Sequence, residues 1–241
     1  MFQKTLFRCS SLYNLMTEPL SKADKDAGLL SKTSKTYLME VYIREKYGRE
    51  NNFGNKYTEK GILVEEDSIQ LYNLNNKKFY LKNERNLKND FISGTPDLYA
   101  GLEIEAAEII IDIKSSWDIF TFLKVHTEPV NTAYWWQLQG YMALTEAKSS
   151  RLAYCLVNTP LHLIDDEKRR LMYKMNCVTD ETPEYIKACK ELEKLMVYDD
   201  IPQQKRVIEF QIDRDEEAIS KIYSKVSKAR EYLCELETKI G

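Results

Sequence analysis

Histidine is nearly missing from this chain: 241 residues contain only His126 and His162. A Ser-His-Asp triad has few candidate bases, and a multi-histidine metal site is all but excluded. The five cysteines, at 9, 155, 177, 189 and 234, include no C-x-x-C pair. That argues against structural zinc, and their odd number and scatter point to reduced thiols in a cytosolic setting. No apolar run approaches the roughly 20 residues of a membrane span. Arg8 interrupts the N-terminal stretch where a signal peptide needs an unbroken apolar core. The expectation is a cytoplasmic protein with no membrane association. Neither sign of charge dominates: 35 Lys and Arg face 38 Asp and Glu, for a net charge of −3. Such a chain is not an obvious nucleic-acid binder, although a basic cleft can coexist with an acidic exterior. Repeats and low-complexity linkers are also lacking.

What remains is a chain able to build a large core. It is 43% hydrophobic and 11% aromatic, which argues against disorder over most of its length. Its size permits one large domain or one domain with extensions. Apolar spacing predicts a helix over 34–47 ending at Gly48, a loop over 51–61 and a helix over 62–72. Strands are expected at 77–83, 97–105 and 108–114, as a meander whose last strand is buried on both faces. A helix follows over 131–147, capped by Asn131, with Gly140 as its weak point. A strand over 151–160 ends at Pro160. Two helices share 165–199, with a break near Thr182–Pro183. A strand over 205–212 and an amphipathic helix over 214–239 close the sequence. The fold class is α/β (mixed α+β), a central mixed sheet flanked by helices with a helical C-terminal extension.

With so little histidine, chemistry must lean on carboxylates, lysines and an oxygen-preferring metal. The segment SGTPDLYAGLEIEAAEIIIDIKSSW, 93–117, concentrates those groups. Period-two alternation puts Asp112 and Lys114 on one strand face and Ile111 and Ile113 on the other. If 97–105 and 108–114 form a hairpin, Asp97 arrives beside Asp112, and the two carboxylates repel unless a cation lies between them. A hard divalent ion suits such a pair. Lys114 would then hold or help deprotonate a water for attack on a phosphate, or offset the charge of that phosphate. Each piece alone has a plainer reading: Asp97 as turn chemistry, Asp112 and Lys114 as a solvated strand face. Two more pieces join them. Glu65 stands four residues after Gly61, where a surface glutamate is the plainer alternative. Gln137 and Tyr141 share one helix face, as in any amphipathic helix.

Taken in order, Glu65, Asp97, Asp112-x-Lys114 and Gln137-x-x-x-Tyr141 resemble the PD-(D/E)xK nuclease superfamily, in its RecB-like and phage lambda exonuclease (YqaJ-type) branch. The resemblance covers about 60–141 by motif and, more loosely, 8–160 by element order. It implies a restriction-endonuclease-like core at about 34–160, with 165–241 packed on it in a single 1–241 nuclease domain. It also implies Mg²⁺ or Mn²⁺, one or two ions, bound through Glu65, Asp97, Asp112 and the carbonyl of Ile113. Lys114 would be the catalytic lysine, with Gln137 and Tyr141 supporting the site. The acidic residue of the D-x-K element is Asp rather than the frequent Glu. The cysteine quartet of the branch's iron–sulfur nucleases has no match here, so no cluster is expected. By the same resemblance, Arg8 and Ser10 are candidates for holding a terminal 5′-phosphate. Lys35, in SKTSK, either lines that groove or belongs to a segment that caps the next helix at Ser34. Trp117, with Trp135 and Trp136, either stacks on bases or sits in the core. The basic run 167–174 either grips phosphates or is the wet side of a helix. The implied activity is a deoxyribonuclease, an exonuclease acting on duplex DNA ends for recombination. An endonuclease, a single-strand-specific nuclease and a silent DNA-binding module are the alternatives. A single-strand annealing protein and a homo-oligomeric ring are the implied partners. Location would be the cytoplasm of a bacterial host if the chain is viral.

Overall fold

The computed structural model describes residues 2–51 and 56–240. In chain order the elements are β1 (Phe7–Arg8), α1 (Leu12–Met16), α2 (Lys22–Asp26), α3 (Lys32–Tyr47), α4 (Lys56–Leu63) and α5 (Glu65–Asn76). Next come β2 (Leu81–Lys82), β3 (Leu87–Lys88), β4 (Ile92–Gly94), β5 (Leu98–Ala100) and β6 (Ile109–Ser115). Then follow α6 (Ile119–Lys124), α7 (Thr132–Ala143), β7 (Ser149–Cys155), α8 (Leu161–Lys174), α9 (Pro183–Lys194), β8 (Val207–Asp213) and α10 (Glu216–Ile240). The large sheet has the order β2-β5-β6-β7-β8, with β6 and β7 parallel and its other pairs antiparallel. A small sheet, β1-β4-β3, pairs β1 with β4 in parallel.

Strand β6 lies inside the large sheet, and its side chains divide between two cores. Ile110 joins the cluster built with α1, α3, α7 and α10. Ile111 and Ile113 join the cluster under α5, with Val64, Ile69 and Tyr72. A strand covered on both faces needs near-continuous apolar residues, which Ile109–Ile110–Ile111 supplies. Helix α10 closes the first core with Ile222, Val226, Ala229 and Leu233, all fully buried at one-face spacing. Burying each of its larger aliphatic side chains stabilises the fold by roughly 1.5–3 kcal/mol.

Several local expectations change. The loop expected at 51–61 is helical from Lys56 onward, and residues 52–55 lie outside the described residues. Contacts of Tyr57 and Lys60 with Trp117 outweigh the polar composition there. The helix expected over 62–72 breaks at Val64 (φ −107°, ψ 13°), so Glu65, Glu66 and Asp67 form the first turn of α5. Negative charge is favourable at that end of a helix. Ser31, rather than Ser34, caps α3: its hydroxyl oxygen accepts from the Ser34 amide at 2.9 Å. Ser34 is buried, and its own hydroxyl donates to the Asn14 carbonyl. The strand expected over 97–105 stops at Ala100, because Gly101 takes φ +133°. Asn131 caps α7 as expected, accepting from the Ala133 amide.

Candidate active site

The β5–β6 register pairs Leu98 with Ile111 and Tyr99 with Ile110. Carried one step further, it sets Asp97 opposite Asp112. The ladder changes character there: the Asp97 side chain replaces a backbone acceptor, and its Oδ2 takes the Ile113 amide proton at 2.7 Å. Asn83 fixes the other side of this turn, with its amide N–H on the Asp97 carbonyl and its side chain on the Pro96 carbonyl, both at 2.9 Å.

Asp112 is 1% exposed. Its Oδ1 accepts from Gln137 Nε2 at 3.1 Å, and the same nitrogen donates to the Tyr141 hydroxyl at 2.8 Å. Its Oδ2 lies 2.7 Å from the Lys114 ammonium but receives no hydrogen bond of good geometry. Lys114 also sits 4.8 Å from the centre of the Tyr134 ring. Tyr134, Gln137 and Tyr141 therefore present one face of α7 to one face of β6. Tyr134 was missed by sequence reasoning, although its place three residues before Gln137 put it on that face.

The charges are under strain. Burial, and then the charge of Asp112, push the Asp97 carboxyl up to about 7, against the pull of Lys114 and the Ile113 amide. Burial draws the Lys114 ammonium down, but Asp112 and Asp97 more than offset it, so its value rises. Burial and both carboxylates hold Tyr141 firmly in its phenol form.

Do these residues fit a divalent cation? Two close carboxylates repel, one is driven toward its acid form, and one buried oxygen lacks a directed donor. A cation relieves all three conditions. The donors are oxygens, and Mg²⁺ is typically held by one or two carboxylates together with waters and substrate phosphate. The pair fits such an ion. A larger protein cage is not formed: no group of three His, Cys, Asp or Glu side chains able to hold an ion occurs among the described residues. Glu65 faces the site closely enough for its charge to bear on Asp97, yet its own ion pair is with Lys82 at 3.5 Å. Glu66 is more exposed and pairs with the same lysine at 3.1 Å, so Glu65 is the member turned inward.

The outlying candidates scatter more widely. Arg8 is exposed and bridges to Glu50 at 2.9 Å. It lines a cavity of about 230 Å³ with Ser11, Arg44 and Arg49. Ser10 is exposed and lies outside that lining, and Lys35 lines a different, larger groove beside α2. Arg44 and Arg49 had no sequence signal to mark them. Trp117 is half-buried at the exit of β6, edge-on to Tyr57 at 4.9 Å. Trp135 and Trp136 pack partly into the main core. The basic run on α8 is internally paired, Arg169 with Asp166 and Arg170 with Glu167, as a solvated helix face would be.

No protein-family model and no curated protein matches the chain. Among solved structures, it is similar to a phage-related exonuclease from Haemophilus somnus 129PT, with 31% identity and a TM-score of 0.76 over 99% of this chain and 97% of that one. It shares the fold of an alkaline exonuclease, LHK-Exo from Laribacter hongkongensis, at 15% identity and a TM-score of 0.62, covering 99% and 96% of the two chains. That enzyme has also been crystallised with dAMP. With an acidic pair opposed across β5 and β6, a lysine beside it and a Gln-x-x-x-Tyr helix behind it, the chain belongs to the PD-(D/E)xK nucleases, in the lambda-exonuclease (YqaJ-type) branch.

Proposed function

We propose that this protein is a Mg²⁺- or Mn²⁺-dependent deoxyribonuclease, an exonuclease that shortens duplex DNA ends for phage-type recombination. The single observation that carries the reading is Asp97 opposed to Asp112, with the Lys114 ammonium 2.7 Å from the latter. Names of similar structures, phage-related exonuclease and alkaline exonuclease, support the same reading. A divalent ion at the carboxylates would activate a water and neutralise charge on the scissile phosphate. Asp97, Asp112 and the Ile113 carbonyl would hold it, with Glu65 acting from the adjoining helix end.

This chain's own groups would do the rest. The Ile113 amide and Gln137 hold the two carboxylates in fixed orientations, so little reorganisation accompanies substrate entry. Lys114 directs an N–H toward the attacking water or a phosphate oxygen. Water adds to phosphorus, the P–O3′ bond breaks, and the proton lost by the water passes to solvent as the 3′ oxygen gains one. Arg8, with Arg44 and Arg49 across the same cavity, would receive a terminal phosphate. Ser10 and Lys35 would contribute along the DNA path, and Trp117 would meet a base. A ring of copies and a single-strand annealing protein complete the expected setting.

The test is cleavage of end-labelled linear DNA beside circular and single-stranded DNA, with and without 5′-phosphate. Asp112→Asn and Lys114→Ala should each abolish cleavage while circular dichroism stays that of the parent. Undiminished cleavage of linear DNA by either variant refutes the assignment.

A further inference from the structure

Lys60 is among the most deeply buried charged side chains described, at 1% exposure. It reaches from α4 to the point where the chain leaves β6, and its ammonium donates to two successive carbonyls, Ser116 at 3.0 Å and Trp117 at 2.7 Å. Its other neighbours are ring faces, Trp117 at 5.7 Å and Tyr198 at 5.9 Å. The carboxylate whose field reaches it is Asp118. Burial draws its ammonium down to about 8, against the pull of Asp118. Desolvating an ammonium costs several kcal/mol. A methionine would fill much the same space at far lower cost, so stability does not explain the lysine. What the ammonium adds is direction: it fixes two carbonyls relative to α4.

Those two ends matter to the site. Lys60 lies five residues before Glu65, with the Val64 break between them. Ser116 lies two residues after Lys114, and its own amide donates to the Cys155 carbonyl of β7 at 2.8 Å. One helical turn beyond Val64, the Ser68 hydroxyl meets that of Ser115 at 2.7 Å. Glu65 is therefore bracketed by two ties, Lys60 to Ser116–Trp117 and Ser68 to Ser115. Both anchor the α4–α5 corner to the end of the strand that carries Asp112 and Lys114. Of the two, the lysine tie is the one built on an ion.

We infer that Lys60 is a positioning residue, which sets the distance of Glu65 and Trp117 from the Asp97–Asp112–Lys114 group by holding the β6 exit against α4. The inference rests on the nuclease reading above. Outer residues that orient metal ligands typically cost tenfold or more in metal affinity when removed.

The experiment uses the full chain with Lys60→Met, which keeps the apolar stem, and Lys60→Arg, which keeps the charge. Mn²⁺ binding is measured by calorimetry, and cleavage at saturating Mn²⁺ gives kcat and KM separately. Amide exchange over 113–118 is followed in metal-free protein. Lys60→Met should weaken Mn²⁺ binding about tenfold or more and lower kcat. KM for DNA should change less, and 113–118 should exchange faster without metal. Lys60→Arg should recover part of each loss. If Lys60→Met lowers Tm but leaves Mn²⁺ affinity, kcat and exchange within twofold of the parent, the lysine only supports the fold and the inference is wrong. Failure of the parent itself to bind Mn²⁺ or cut DNA would instead overturn the nuclease reading. Should Lys60→Met not fold, Lys60→Gln, which keeps a shorter neutral donor, takes its place. Mn²⁺ affinity, kcat and exchange within twofold of the parent in that variant would equally refute the inference.

Discussion

Asp97 holds its proton more tightly in the folded protein than an ordinary aspartate does, at about 7 against a usual value near 3.8. The native state therefore binds this proton at pH values where the unfolded chain has released it. The sign follows: the stabilising contribution is complete below about pH 4 and is lost as pH rises through about 7. Without divalent ions, melts of the parent should show Tm falling between pH 5 and pH 8, while Asp97→Asn removes this component. Saturating Mn²⁺ should restore the parent at pH 8 and do little for the variant. A parent Tm that climbs across this range would show that the carboxylates are not in conflict. That Asp112 and Lys114 share a strand face, and Gln137 and Tyr141 a helix face, was legible from spacing because β6 alternates and α7 repeats every three to four residues. Arg44 and Arg49 were not, since their approach to Arg8 depends on how α3 crosses the first residues of the chain.

At the scale of elements, the long periodic segments were legible and the short ones were not. Helices α7 and α10 and strands β6 and β8 lie close to where their apolar spacing predicts, whereas β7 runs Ser149–Cys155 and ends five residues before the expected stop at Pro160. The small sheet was invisible, because β1, β3 and β4 have only two or three residues each and exist through their partners. Gly140, the weak point of α7 on propensity, is explained by its neighbours. A Cβ there would stand 2.7 Å from Leu12 Cδ1 and 2.8 Å from Cys9 Sγ. Gly94 is equally tight, with Tyr141 Cε1 2.6 Å from the same imagined atom. Both glycines let the turn at Cys9–Ser11 press against the face that carries Tyr141. Gly140→Ala should therefore destabilise the protein by about 1–3 kcal/mol despite alanine's better helix propensity. Urea unfolding measures this, and a more stable variant would mean that the turn is not wedged there.

Across the whole molecule, residues remote in sequence share one core. Phe2, Phe7, Leu12 and Leu15 pack with Ile222, Val226 and Leu233 of α10. Arg230 fastens the same junction, donating to the Thr5 carbonyl at 2.9 Å and to the Asp90 carbonyl at 2.5 Å. Leu233→Ala, at a site with no exposure, should cost about 2–5 kcal/mol in equilibrium unfolding. A loss below about 1 kcal/mol would show that the contact is looser than described. Helix α10 also packs against α7, the helix that supplies Gln137 and Tyr141.

That closure has a consequence for the order in which a newly made copy assembles. Asp97, Asp112, Lys114, Gln137 and Tyr141 are all translated well before α10, yet the core behind Tyr141 includes side chains as late as Leu236. A nascent chain therefore carries these groups without their full backing until α10 has emerged from the ribosome.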